Sequence, residues 1–127
     1  MESLCTGLQH IGIPTINYDE TLHFYDKLGF RAVLTTMQPD GGRVAFLQLK
    51  KLVLEVYETK RVSHMSGAID HIAVDVINIE LVYQKMTAKG FPAIEGEIKT
   101  LPFWDNGVRY FTILGPNHEK VEFSQKL

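Results

Sequence analysis

The chain reads as one half written twice. Displacing His10–Phe30 by 71 − 10 = 61 residues lays it without a gap on His71–Phe91. His10/His71, Ile11/Ile72, Ile16/Ile77, Asn17/Asn78, Gly29/Gly90 and Phe30/Phe91 are then identical, and Gly12/Ala73 and Ile13/Val74 are conservative pairs. Further on, Gly42–Phe46 falls on Gly107–Phe111 at a shift of 65, and Glu55 falls on Glu122 at a shift of 67, so the halves differ only by short loop insertions. A repeat decides architecture before any local reading does, and two copies make a pair of modules, not a solenoid. At 127 residues the whole chain fits one compact domain, whereas either half alone would bury too little to be more than marginal. The expectation is a single domain, 1–127, with module one over about 8–58 and module two over about 69–125.

Local patterns give each module the same order of elements. Leu8–Pro14 is a short apolar run that suits a strand, and Asn17–Leu28 places Tyr18, Thr21, Leu22, Tyr25 and Leu28 at helical spacing. Asn17 is expected to cap that helix, with Glu20 three residues on at capping-box spacing and Gly29 ending it. Strands follow at Phe30–Met37, Arg43–Leu49 and Leu52–Glu58, the first two joined by a Gly41–Gly42 turn. The second half predicts a strand at Ile69–Val76, a helix at Asn78–Lys89 stopped by Gly90, and strands near Ala93–Lys99, at Val108–Leu114 and at Glu119–Ser124. A turn at Gly115–Asn117 joins the last two, and Thr59–Gly67, polar and aperiodic, links the modules. The fold class is α+β, two tandem βαβββ modules.

Bulk properties exclude several partners. Hydrophobic residues make up 45% and charged residues 22%, as in an ordinary soluble protein, and a net charge of −2 leaves no basic footprint for nucleic acid or anionic membranes. The N-terminus has no basic segment followed by an apolar run, and no stretch reaches the length of a membrane span, so a cytoplasmic location is expected. A single cysteine, Cys5, makes no internal disulfide and reads as a small hydrophobe or an incidental thiol.

The repeated His and Glu carry the chemistry. Both Glu55 and Glu122 interrupt hydrophobic strands, and Glu55 shares a face with Val53 and Tyr57 while Glu122 alternates with Val121 and Phe123. A carboxylate in such a strand is exposed, paired or bound to a cation, because an isolated buried charge is too costly. Two imidazoles and two carboxylates suit a divalent transition metal, with zinc, nickel, cobalt, iron and manganese all possible. Taken singly, a strand-start histidine is an ordinary core or edge residue and a strand glutamate an ordinary exposed one. Their joint recurrence favours His10, Glu55, His71 and Glu122 as metal ligands. His23, His64 and His118 are expected to be solvent-exposed. Phe103 and Trp104, adjacent in a loop, and Tyr110 are candidate substrate-stacking surfaces, and Arg43 and Arg109 beside glycine turns are candidate readers of a substrate anion.

These residues resemble the vicinal oxygen chelate superfamily, which includes glyoxalase I, methylmalonyl-CoA epimerase, fosfomycin-resistance enzymes, extradiol dioxygenases and bleomycin-binding proteins. The segments LQHIGIPTINYDETLHFYDKLGF, LVLEVYE, IDHIAVDV and NGVRYFTILGPNHEKVEF carry the likeness over nearly the whole chain. The resemblance implies a cupped mixed sheet around a metal, with ligands at His10, Glu55, His71 and Glu122, and it implies a homodimer. Glu at both carboxylate positions is similar to glyoxalase I, a lactoylglutathione lyase. The positions that carry Arg and Asn for glutathione in bacterial glyoxalase I are Pro14 and Thr59 here, so the resemblance does not extend to glutathione specificity. The resulting expectation is a metal-dependent lyase or isomerase acting on a small vicinal-oxygen substrate, such as a 2-oxoaldehyde hemithioacetal, through an enediolate. Glu122 is expected as the base, with Glu55 its partner. An acyl-CoA epimerase, a thiol transferase, a dioxygenase and a metal-free small-molecule-binding protein are the alternatives.

Overall fold

The computed structural model describes residues 2–4, 8, 10–67 and 69–127. Cys5 lies outside the described residues. The chain divides into two compact units, Met1–Val62 and Ser63–Leu127, the boundary falling in the predicted linker.

The first unit runs β1 (Ile11–Thr15), α1 (Tyr18–Lys27), β2 (Arg31–Met37), β3 (Arg43–Leu49) and β4 (Leu52–Glu58). Its four strands lie in the order β1-β4-β3-β2, with β1 parallel to β4 and the other neighbours antiparallel. The second unit repeats the plan with β5 (His71–Asp75), α2 (Ile79–Ala88), β6 (Lys99–Leu101), β7 (Val108–Leu114) and β8 (Lys120–Lys126), in the order β5-β8-β7-β6. Each unit is therefore a βαβββ module. The parallel pairing of first and last strand follows from the helix between β1 and β2, which supplies the crossover that a parallel pair needs.

Each sheet buries one face beneath its helix. In the first unit Ala45, Leu47, Leu54 and Val56 form that face, and α1 contributes Tyr18, Thr21, Phe24 and Tyr25. In the second, Phe111, Ile113, Val121 and Phe123 do the same, with Ile79 and Met86 buried from α2 and the ring of Tyr83 edge-on to Phe111 at 5.1 Å. Burying one such side chain contributes about 1.5–3 kcal/mol. The opposite face of each sheet is free for polar residues, because side chains alternate along a strand.

The helix starts differ in how they are satisfied. Asn78 caps α2, its side chain accepting from Leu81 N–H at 3.0 Å, and Gln125 Oε1 accepts from Ile79 N–H at 2.8 Å. Asn17 makes no side-chain cap. Its own N–H donates to Thr15 Oγ1 at 2.8 Å, while Thr21 Oγ1 donates to the Asn17 carbonyl at 2.7 Å and stands 3.0 Å from Thr15 Oγ1. A threonine pair thus ties down the Asn17 backbone before α1, whereas at α2 an asparagine caps a first-turn N–H. Gly29 and Gly90 end the helices with φ of 100° and 86°, a backbone that a side chain disfavours.

Two strand expectations fail for identifiable reasons. The predicted strand near Ala93–Lys99 is reduced to Lys99–Leu101. Upstream of it the chain turns at Gly96, φ 78°, and follows the β7 edge only through Ile94 N–H to Thr112 O at 2.7 Å and Glu95 Oε2 accepting from Thr112 N–H at 2.9 Å. The repeat also slips. Phe46 pairs with Glu55 and Thr112 pairs with Glu122, so the third strands correspond at a shift of 66, not 65. A slip of one residue exchanges the faces, and Arg43 therefore corresponds to Arg109 instead of Val108.

Candidate metal centre

The parallel ladder brings each histidine to its own module's glutamate. Glu55 pairs with Gly12 and Glu122 with Ala73, each two residues beyond the histidine and on the same sheet face. A glycine and an alanine leave the space that a larger residue would fill, so the carboxylate can lean back to the ring. His10 Nε2 stands 2.9 Å from Glu55 Oε2, and His71 Nε2 stands 3.5 Å from Glu122 Oε2. All four side chains are partly exposed, the least being Glu122 at 19%. Among the described residues no group of three or more His, Cys, Asp or Glu side chains is gathered in the manner of a metal site.

The donor chemistry and spacing fit a cation. Two donors about 2.1 Å from a shared ion stand about 3.0 Å apart at a right angle and about 3.4 Å apart at the tetrahedral angle. The observed 2.9 and 3.5 Å bracket those separations. Imidazole nitrogen and carboxylate oxygen suit zinc, iron, cobalt, nickel and manganese alike.

The surroundings of the two pairs differ. The His10 ring is edge-on to Phe46 at 5.7 Å. His71 instead has Asp70 Oδ2 3.0 Å from its Nδ1, and Asp70 Oδ1 accepts from Lys120 Nζ at 2.9 Å. The hydrogen bonds from His71 and then from Lys120 hold the Asp70 carboxyl below the usual carboxylate range. Asp70 and Lys120 carried no sequence signal of their own, since a charged residue at a strand start is common.

The arginines belong to the other face. Arg43 lies on the helix side with Ala45 and Leu47, where it donates to Glu58 Oε2 at 2.8 Å and to Asp19 Oδ1 at 3.1 Å and covers the Tyr18 ring at 4.4 Å. Its hydrogen bond to Glu58 raises its own pKa and lowers that of Glu58. Arg109 pairs with Glu80, the residue that corresponds to Asp19 at the 61-residue shift, and lowers its pKa by the same cause. Both guanidinium groups join sheet to helix, and neither shares a face with its module's His–Glu pair. Tyr110 does share the face of Glu122, since it pairs with Ser124 two residues along β8.

Phe103 and Trp104 are exposed, at 56% and 67%, in the connection that precedes β7. That end of β7 pairs Val108 with Lys126, whose Nζ lies 3.7 Å from the Trp104 ring centroid. Lys126 is four residues beyond Glu122, roughly 13 Å along an extended strand, so this platform is separate from the second module's His–Glu pair. Trp104 has φ 64°, an unusual conformation for a bulky residue. His23 and His118 are exposed as expected. His64 is not: it is half-buried, its Nε2 is shut off from solvent, and its ring is edge-on to His118 at 5.3 Å.

Comparison with known proteins agrees with this architecture. A curated protein of Bacillus subtilis (strain 168), the uncharacterized protein YwbC, is 29% identical over 94% of this chain and 97% of its own. The crystal structure of a glyoxalase family protein from Enterococcus faecalis superimposes with a TM-score of 0.79 at 22% identity, covering 94% of this chain and 97% of that one. The fosfomycin resistance protein FosX from Listeria monocytogenes, solved with Mn(II) and sulfate, superimposes with a TM-score of 0.72 at 13% identity, covering 98% and 95%. At such identities these structures speak for the fold. Among the described residues no helix is long and apolar enough to cross a membrane. The sequence profile of the Glyoxalase/Bleomycin resistance protein/Dioxygenase superfamily matches residues 7–123, and the chain belongs to that superfamily.

Proposed function

We propose that the two modules act as one domain, residues 1–127, and that the protein is a metal-dependent lyase or isomerase of glyoxalase I type with His10, Glu55, His71 and Glu122 as its cation ligands. The observation that carries this reading is the recurrence, in both modules, of an imidazole Nε2 and a carboxylate Oε2 at ligand-like separation. A divalent cation supplies, when bound, Lewis-acid stabilisation of negative charge on neighbouring substrate oxygens. Glu122 takes the proton from the carbon beside a carbonyl, and Glu55 returns one to the adjacent carbon. The substrate class is a small 2-oxoaldehyde in its thiol adduct. Pro14, with no N–H, and Thr59, whose N–H is committed to Thr15 O at 2.9 Å, favour a thiol other than glutathione. The setting is cytoplasmic and the assembly a homodimer, as the family resemblance suggests.

The test is to load the purified protein with Mn, Fe, Co, Ni or Zn in turn and follow solvent-deuterium exchange into methylglyoxal–thiol adducts by NMR. Exchange with at least one metal, lost in Glu122→Gln, is expected. Silence with every metal and thiol removes the lyase assignment. Metal content of His10→Ala, Glu55→Ala, His71→Ala and Glu122→Ala tests the ligands separately, and full retention by all four contradicts them. The exposed Phe103 and Trp104 favour one second reading, a metal-free binding protein for planar molecules. Tight binding that a chelator leaves unchanged, followed through the single tryptophan, would select it.

A further inference from the structure

The proton arrangement of His71 is set by the residues beside it. A neutral imidazole carries one proton, which sits on the nitrogen that faces the stronger acceptor. Asp70 Oδ2 lies 3.0 Å from His71 Nδ1, and an ionised carboxylate only accepts, so the proton belongs on Nδ1. Nε2 then presents a lone pair toward Glu122 Oε2, at a separation of 3.5 Å that is longer than a good N–H···O bond. In the first module His10 Nε2 reaches Glu55 Oε2 at 2.9 Å, the length of a hydrogen bond that carries the proton on Nε2.

What makes Asp70 an effective acceptor is its second partner. Lys120, which pairs with His71 in the β5–β8 ladder, donates to Asp70 Oδ1 at 2.9 Å. The carboxylate is thereby held from both sides across the start of two strands. At the 67-residue shift that aligns Glu55 with Glu122, the counterpart of Lys120 is Val53, which offers no charge.

We infer that Asp70 is a positioning residue: anchored by Lys120, it fixes the Nδ1–H tautomer of His71 and turns Nε2 into a ready donor toward Glu122. The consequence for metal binding rests on the reading of His71 as a ligand; the tautomer does not. Partners of this kind change metal affinity by about 10- to 100-fold when removed. Exposure of Asp70 and His71, at 56% and 44%, places the expected loss at the lower end, about tenfold.

The experiment uses the full chain, metal-free and labelled with nitrogen-15, at alkaline pH, and reads the imidazole nitrogens by long-range proton–nitrogen correlation. His71 is expected to show a protonated Nδ1 and a bare Nε2. Asp70→Leu is expected to return it to the Nε2–H form that free histidine prefers, whereas Asp70→Asn, whose carbonyl still accepts from Nδ1, keeps the wild-type pattern. Calorimetric titration with Mn(II) should show about a tenfold loss for Asp70→Leu, with most of it regained in Asp70→Asn. A wild-type His71 protonated on Nε2, or a tautomer unmoved by Asp70→Leu, overturns the inference. A tautomer that shifts while His71→Ala leaves Mn(II) affinity intact upholds the positioning role and overturns the ligand reading instead.

Discussion

The threonine pair at the start of α1 makes a quantitative demand. Thr21 is fully buried, and its hydroxyl donates to Asn17 O at 2.7 Å while standing 3.0 Å from the equally buried Thr15 hydroxyl. Thr21→Val keeps the shape and removes both contacts. Each lost hydrogen bond contributes about 0.5–1.5 kcal/mol, so the single variant should lose about 2 kcal/mol. Thr15→Val removes the acceptor of the Asn17 N–H bond at 2.8 Å together with the contact to Thr21, and should cost as much or more. In the double variant the Thr15–Thr21 contact is missing only once. Its loss should therefore fall short of the sum of the singles by about 1 kcal/mol. Urea unfolding of the four proteins, followed by circular dichroism, measures this cycle. Strict additivity, or a Thr21→Val cost below about 0.5 kcal/mol, would refute the argument that this pair anchors the start of α1.

Other perturbations test the remaining geometry. Glu58 has its pKa lowered from 4.5 by the Arg43 side chain and then by the Arg43 N–H, so its contribution to stability is present above the unfolded value and lost as pH falls through the folded one. Glu58→Gln should be less stable than wild type at neutral pH, with the gap closing in acid below that value; a gap independent of pH in urea unfolding contradicts the pairing. Gly42→Ala places a Cβ 2.9 Å from the Glu58 carbonyl oxygen, a backbone atom at the end of β4, and should cost about 1–3 kcal/mol. An unchanged melting temperature would show that the hairpin yields freely. Trp104→Gly removes a bulky residue from φ 64° and should be neutral or stabilising despite the loss of the Lys126 contact, because left-handed backbone costs about 1–2 kcal/mol in a non-glycine residue. A marked drop in thermal stability would show instead that the indole packs as core.

Periodicity made most of the fold legible and register made the rest obscure. The strands Arg43–Leu49, Leu52–Glu58 and Val108–Leu114 have the expected bounds, since each is an apolar-rich run between turn residues. The segment 93–99 has apolar residues at Ala93, Ile94 and Ile98 but flanks the sheet edge, where Gly96 turns the chain after a single backbone bond to β7. Composition cannot distinguish that from a strand. The shift of 65 between Gly42–Phe46 and Gly107–Phe111 rested on matching Gly and Phe, and cross-strand pairing with Glu55 and Glu122 shows 66. That single residue moves Arg43 and Arg109 from candidate substrate contacts to helix–sheet ion pairs.

Duplication placed each histidine beside its glutamate, because both are held by the one feature the modules share without exception, the parallel pairing of first and last strand. Divergence acted on the neighbours of that pair. Phe46 in one module and Thr112 in the other stand opposite the glutamate, and Lys120, opposite His71, corresponds to Val53 at the 67-residue shift. Lys120 holds Asp70, which turns the His71 proton away from Glu122. With His71 read as a ligand, swapping Val53 and Lys120 by Val53→Lys with Lys120→Val should weaken cation binding in module two without building its equivalent in module one, where no Asp precedes His10. Mn(II) titration of the doubly substituted protein reads the outcome, and an affinity equal to wild type would show that Lys120 plays no part.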